Sequence, residues 1–481
     1  MTTRSLTDIV KAYDVRGTVP DQLDTDVARA LGAAFAEVVL GPEDAPGCVV
    51  GHDMRDSGPA LVEAFAAGVR SRGHDVTLIG LCSTDGLYYA SGALDLPGAM
   101  FTASHNPARY NGIKMCRSGA RPVGQDSGLA DVRVLAERLL ASDAADTTAD
   151  GVPGALVERD VLADYAGFLR GLVDLSAIRP LRVVVDAGNG MGGFTVPAVL
   201  GTAAGLPALP VDVEPLYFEL DGTFPNHEAN PLEPENLRDL QAAVVAHGAD
   251  LGLAFDGDAD RCFVVDERGE PVSPSAITAL IARREVSRAV AEGADAADVS
   301  VVHNVITSAQ VPEVVAATGA RAVRTRVGHS FIKAEMARHD AVFGGEHSAH
   351  YYFRDFWFAD TGMLAALHVL AALGEQEQPL SVLMADLSRY SASGEVNSTV
   401  ADAPAATERV LAWGVEQGVE VDRLDGLTLV HAGGPDDPMW WLNLRASNTE
   451  PLFRLNVEAE DPATMARVRD AVLAIVRPGL T

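Results

Sequence analysis

Apolar runs of strand length alternate along the chain with stretches of helical period. CVVGHDMRDS (48–57) predicts a strand opening into a polar loop, ALVEAFAAGVRSRG (60–73) an amphipathic helix ending at Gly73, and DVTLIGL the next strand. That alternation predicts α/β layers. LRVVVDAGNGMGG (181–193) predicts a buried strand entering a Gly-rich turn, but its spacing is not GxGxxG, so a tight strand-to-helix turn is expected and a dinucleotide site is not. ADLGLAFDGDADRCFVVDERGEPV (249–272) predicts strand, acidic loop, strand and turn. A third α/β unit follows, with the strand VSVVHNV and the helix TGMLAALHVLAAL. WWLNLRASNTEPLFRLNVEAE then alternates like half-buried strands around a polar turn, and ATMARVRDAVLAIV reads as a closing helix. The small, acidic run ASDAADTTADGVPG (141–154) predicts a linker. The pattern divides the chain at 1–150, 151–269, 270–385 and 386–481: three similar mixed α/β domains and a smaller C-terminal α+β domain.

Charge changes the picture. A net charge of −30 over 481 residues repels nucleic acid and anionic membranes, and it repels an anionic substrate unless the site is locally basic. Lysine occurs only at 11, 114 and 333, each beside one of the motifs below, while arginine supplies the other cations. The four cysteines form no CxxC pair, no apolar run reaches membrane-spanning length and the N-terminus has no signal-peptide core. The expectation is a reduced, cytoplasmic protein, monomer or weak dimer, with neither membrane nor nucleic acid as partner.

Four polar clusters carry candidate chemistry. TASHNPARYNGIK (102–114) holds Ser104, His105 and Lys114 among the turn dipeptides Asn106-Pro107 and Asn111-Gly112, which predicts an exposed loop presenting a nucleophilic serine after a strand. In DGDADR, Asp256, Asp258 and Asp260 fall on one side of an extended segment, and oxygen-only ligands favour Mg²⁺, Ca²⁺ or Mn²⁺. An EF-hand is excluded, because Arg261 stands where that loop needs glycine and strands flank it. GGEHSAHYYFRD (344–355) offers Glu346, His347, Ser348 and His350 for sugar hydroxyls, with HSAH as a weaker metal pattern. RASNTEPLFR (445–454) combines Arg445, Ser447, Asn448, Thr449 and Arg454 as parts of a phosphate cradle, and RTRVGHSFIK (324–333) adds His329 and Lys333 for anion binding or acid–base work.

These clusters in this order, with the opening KAYDVRG (11–17), resemble the α-D-phosphohexomutase family, most closely its bacterial phosphomannomutase branch. The resemblance implies four domains around a central cleft, one loop from each. It implies an intramolecular phosphotransferase that interconverts mannose 6-phosphate and mannose 1-phosphate through a phosphoserine enzyme and a hexose 1,6-bisphosphate. Phosphoglucomutase or dual specificity is the alternative. Ser104 would carry the phosphoryl group and, with Asp256, Asp258 and Asp260, ligate Mg²⁺. Arg16, Arg261 and His105 would support the phosphoserine, with Lys114 the candidate general base and His329 a second acid–base candidate. Tyr13, Glu346, Ser348, Arg445, Ser447, Asn448, Thr449 and Arg454 would bind substrate. Asp85 stands where many members carry proline, outside the four loops. Two more distant readings are a Mg²⁺-dependent phosphatase using Asp256 or Asp258 as nucleophile, and a non-catalytic sugar-phosphate-binding paralogue.

Overall fold

The computed structural model describes residues 4–142, 152–400, 402–435, 437–446 and 452–477. Most of the expected linker (143–151) and the turn residues Ser447, Asn448 and Thr449 lie outside the described residues. The chain divides into two compact units, Met1–Val272 with Ser348–Ser381, and Ser273–His347 with Val382–Thr481.

The first unit contains two sheets built on parallel strands. In one, Gly47–His52 lies between the parallel strands Asp75–Leu81 and Gly98–Phe101; Tyr110–Arg117 and Val15–Thr18 then continue the sheet antiparallel. Val, Cys, Ala, Met and Phe fill both faces of its central strands, as burial under helices on both sides requires. The helices Thr25–Phe35 and Gly58–Arg70 pack beneath it, where Phe65 meets Phe35 and Phe101 at ring distances of 5.6 and 5.5 Å. The second sheet runs Pro271–Val272, Cys262–Asp266, Leu251–Phe255, Leu181–Asp186, Val211–Leu216, with its last three strands mutually parallel. Antiparallel pairing of Leu251–Phe255 with Cys262–Asp266 makes the DGDADR segment the connection between two fully buried strands.

In the second unit, Ser300–Asn304 lies between parallel Arg321–Thr325 and Phe343–Gly345. An all-antiparallel sheet runs Ser391–Ser398, Phe453–Ala459, Trp440–Ala446, Leu427–His431, Glu420–Asp422. Its inward residues Leu427, Leu429, Leu442, Leu444, Leu455 and Val457 form one core with Val468 and Val472 of the helix Pro462–Val476. Among the described residues no helix is long and apolar enough to cross a membrane.

One local expectation is corrected. The segment 102–114 is not an exposed loop throughout: its second half belongs to the strand Tyr110–Arg117. Asn111-Gly112 reads as a turn, yet Gly112 is there for close approach. A Cβ on it would stand 2.3 Å from the Val15 carbonyl oxygen and 2.7 Å from that of Thr102. Ser104 itself is only 5% exposed.

Candidate active site

In the first unit, Ser104 follows the strand Gly98–Phe101 and sits at φ 48°, a left-handed conformation that costs a non-glycine residue energy and needs support. The support is Arg55. Its guanidinium, 2% exposed, donates to the carbonyls of Ser104 (2.8 Å), Asn106 (2.6 Å), Pro107 (3.1 Å) and Tyr110 (2.9 Å), and is paired with buried Asp53. One planar fork serves four backbone acceptors of the serine loop at once.

The Ser104 hydroxyl donates to Asp256 Oδ2 at 2.8 Å and lies 3.2 Å from His105 Nδ1. Arg261 donates from Nη2 to Asp256 Oδ2 (2.9 Å), His105 Nδ1 (2.7 Å) and the Ser104 oxygen (3.3 Å). His105 Nδ1 is therefore an acceptor. Burial, then Arg261 and Arg16, holds this imidazole well below its ordinary range, so it is neutral at pH 7. Arg16, on the edge strand Val15–Thr18, reaches the same loop through Asn106 Oδ1 at 2.5 Å and pairs with Asp14. Tyr13 lies half-buried two residues before that strand.

Asp256, Asp258 and Asp260 are all buried, and one oxygen of each falls within 4.8 Å of the others. Lys114 Nζ donates to Asp258 Oδ2 (2.7 Å) and Asp260 Oδ2 (2.6 Å). Burial works against the Lys114 ammonium, but the two carboxylates outweigh it and hold its pKa well above the ordinary value. As an ammonium it donates to both carboxylates in this arrangement. Burial pushes the Asp256 carboxyl up, Arg261 opposes it, and Asp260 and Asp258 add to the rise. Asp258 is likewise penalised by burial, yet Lys114 brings it far below the carboxylate range. Lys114 and Arg261 are the buried cations bonded to these carboxylates. Asp258 Oδ1 and Asp260 Oδ1 are buried with no hydrogen-bond partner among the described residues. Orphaned, oxygen-only ligands of this charge fit a hard divalent cation.

Ser348 and His350 also belong to the first unit; Ser348 Oγ lies 3.0 Å from His350 Nδ1, and His350 Nε2 is 3.8 Å from Asp260 Oδ1.

In the second unit, Glu346 follows the strand Phe343–Gly345 and is 3% exposed. Its Oε1 accepts from Asn304 Nδ2 (2.9 Å) and from the Gly328 N–H (3.2 Å), one residue before the helix His329–His339 that carries His329 and Lys333. Arg445 and Arg454 face each other across antiparallel strands, and both reach Glu395 at 3.2 Å. Burial lowers the Arg445 pKa, while Glu395 opposes the shift.

Sequence reasoning missed Asp53, Arg55, Thr84 and Glu395. The only signal for Arg55 was a D-x-R directly after a buried strand. For Thr84 it was a Ser-Thr-Asp run at a helix start, with the unusual Asp85 set aside as remote. In fact Thr84 Oγ1 donates to Asp258 Oδ2 at 2.6 Å.

Comparison with known proteins covers nearly the whole chain. Residues 7–132, 163–269 and 273–390 match the descriptions Phosphoglucomutase/phosphomannomutase, alpha/beta/alpha domains I, II and III, and 395–475 match the C-terminal domain of the same family. The chain is 40% identical to the phosphohexose mutases of Xanthomonas campestris pv. campestris over 463 residues, covering 95% of this chain and 96% of that protein. It is also 40% identical to the phosphomannomutase of Salmonella typhimurium over 467 residues, covering 96% and 97%. A solved phosphoglucomutase/phosphomannomutase family protein from Burkholderia thailandensis superposes with a TM-score of 0.83 at 32% identity, over 98% of each chain.

Proposed function

The chain belongs to the phosphoglucomutase/phosphomannomutase family, and from that premise we propose that it interconverts mannose 6-phosphate and mannose 1-phosphate. The observation that carries this reading is the Ser104 hydroxyl, buried, held in a left-handed backbone and shared among Asp256, His105 and Arg261.

Phosphorylated Ser104 transfers its phosphoryl group to a sugar hydroxyl: the P–Oγ bond breaks as the new P–O bond forms, and the hydroxyl proton leaves to a base. The hexose 1,6-bisphosphate then turns over within the site and returns its other phosphoryl group to Ser104. Arg261, Arg16 and the Lys114 ammonium offset the charge on the transferring group, and neutral His105 fixes the serine oxygen. Asp256, Asp258 and Asp260, with an oxygen on Ser104, are the residues that would hold Mg²⁺. That ion supplies Lewis-acid and charge stabilisation at the transferring phosphoryl. Glu346 and Ser348 serve the sugar hydroxyls, and Tyr13 contributes to substrate binding. Arg445 and Arg454, with Ser447, Asn448 and Thr449, hold the phosphate that is not reacting. Lys114 is the general-base candidate once a cation takes over its carboxylate partners, and His329 is the second acid–base candidate. The domain division is taken at 150, 269 and 385.

Glucose phosphate is the second substrate in this reading, with which the phosphohexose mutase relatives are compatible. Phosphorus NMR of the protein with Mg²⁺, a trace of hexose 1,6-bisphosphate, and mannose or glucose 6-phosphate in separate tubes tests it. Growth of a 1-phosphate signal, faster with mannose and abolished in Ser104→Ala, is expected. Inorganic phosphate alone would mean a phosphatase and overturn the assignment of Ser104.

A further inference from the structure

Thr84 opens the helix Thr84–Leu94, far in sequence from the acidic loop, yet it grips one residue of that loop at two points. Its backbone N–H donates to the Asp258 carbonyl at 3.0 Å, and its hydroxyl donates to Asp258 Oδ2 at 2.6 Å. Oδ2 also receives Lys114, so Asp258 presents only Oδ1, the buried oxygen without a hydrogen-bond partner among the described residues. Behind Thr84, Asp85 is itself fully buried and accepts three hydroxyls: Ser83 Oγ, Tyr165 OH at 2.8 Å and Thr361 Oγ1 at 2.6 Å. Ser83 caps the Thr84 helix, Tyr165 belongs to the helix Leu162–Leu172, and Thr361 caps the helix Gly362–Gly374. One carboxylate thus ties three helices together directly behind the residue that orients Asp258.

We propose that Thr84 is a positioning residue that aims the free oxygen of Asp258 at a divalent cation, and that Asp85 is the anchor that keeps Thr84 in place. The inference rests on the reading of the acidic loop as a cation site. A carboxylate free to rotate spreads its charge over several rotamers. A carboxylate pinned through Oδ2 and its own backbone keeps Oδ1 in one place, and outer partners of this kind govern metal affinity as strongly as their hydrogen bonds fix the ligand.

The test is direct Mn²⁺ binding to the purified full-length protein, read as loss of the free Mn²⁺ electron paramagnetic resonance signal, alongside steady-state kinetics at saturating Mg²⁺. Thr84→Val keeps the side chain's shape and removes only the hydroxyl. It should raise the Mn²⁺ Kd by about 10- to 100-fold and leave KM for mannose 6-phosphate unchanged once the cation is saturating. Thr84→Ser should restore binding. Asp85→Ala should weaken Mn²⁺ in the same direction, and the double variant Thr84→Val/Asp85→Ala should be no weaker than the poorer single one, because the two act in series. Wild-type Mn²⁺ affinity in Thr84→Val, or a Thr84→Ser variant that fails to recover, would overturn the proposal. If the wild-type protein itself binds no Mn²⁺, the cation reading is what has failed, and this inference falls with it.

Discussion

Gly257 stands between two of the acidic residues, and a Cβ there would lie 2.4 Å from the Ser104 carbonyl oxygen. The serine loop and the acidic loop touch backbone to backbone at that point, which is how the Ser104 hydroxyl comes within 2.8 Å of Asp256. Gly257→Ala must push the loops apart, and a displacement of this size at reacting groups lowers turnover by about 100-fold; stopped assays on a variant with wild-type circular dichroism check it. Asp85 gives a second expectation at this scale. Burial raises its carboxyl from the ordinary 3.8 to about 6, with the Ser83, Thr361 and Tyr165 hydroxyls opposing the shift. The unfolded chain therefore loses this proton before the folded one does, and Asp85's contribution, fully present below the unfolded pKa, is lost as pH rises through about 6. Urea melts of wild type and Asp85→Asn should diverge by roughly 3 kcal/mol in the variant's favour on going from acid to neutral pH. A constant difference would show that Asp85 titrates normally.

At the scale of elements, the helix Gly362–Gly374 begins on Thr361, whose hydroxyl accepts from the Leu364 N–H at 3.1 Å and donates to Asp85. Thr361→Ala removes a cap and strips a buried carboxylate of a donor, a loss of about 2–3 kcal/mol that a thermal melt will register as a lower midpoint. Period and turn chemistry made most elements legible beforehand. The strands before and after DGDADR, the turn at GNGMGG and the antiparallel hairpin around RASNTEP were readable because each buries a continuous or alternating apolar face. What stayed hidden depended on partners distant in sequence. Arg55 reaches carbonyls about fifty positions away, Thr84 reaches Asp258, and Asn111-Gly112 is strand because Val15 and Thr102 close on it from either side. No local pattern encodes a neighbour that arrives only on folding. The four-cluster order nevertheless indicated the family, since chemistry concentrates in short runs even when its supports do not.

For the whole molecule the dominant quantity is the charge of −30, which makes the compact state repel itself. Raising sodium chloride from about 10 to 150 mM shortens the screening length to about 8 Å, and the melting temperature should rise; a fall would mean that ion pairs such as Arg445 with Glu395 outweigh the general repulsion. The scarcity of lysine has a practical corollary. Lys333 is 3% exposed, the Lys114 side chain 12%, and Lys11 lies in the open. Among the side-chain amines, acylating dyes and activated-ester surfaces will therefore find a single handle. With the α-amine blocked, molecules coupled through it will stand on a chip in one orientation, and a single-molecule experiment can label each copy at one known place without engineering a cysteine.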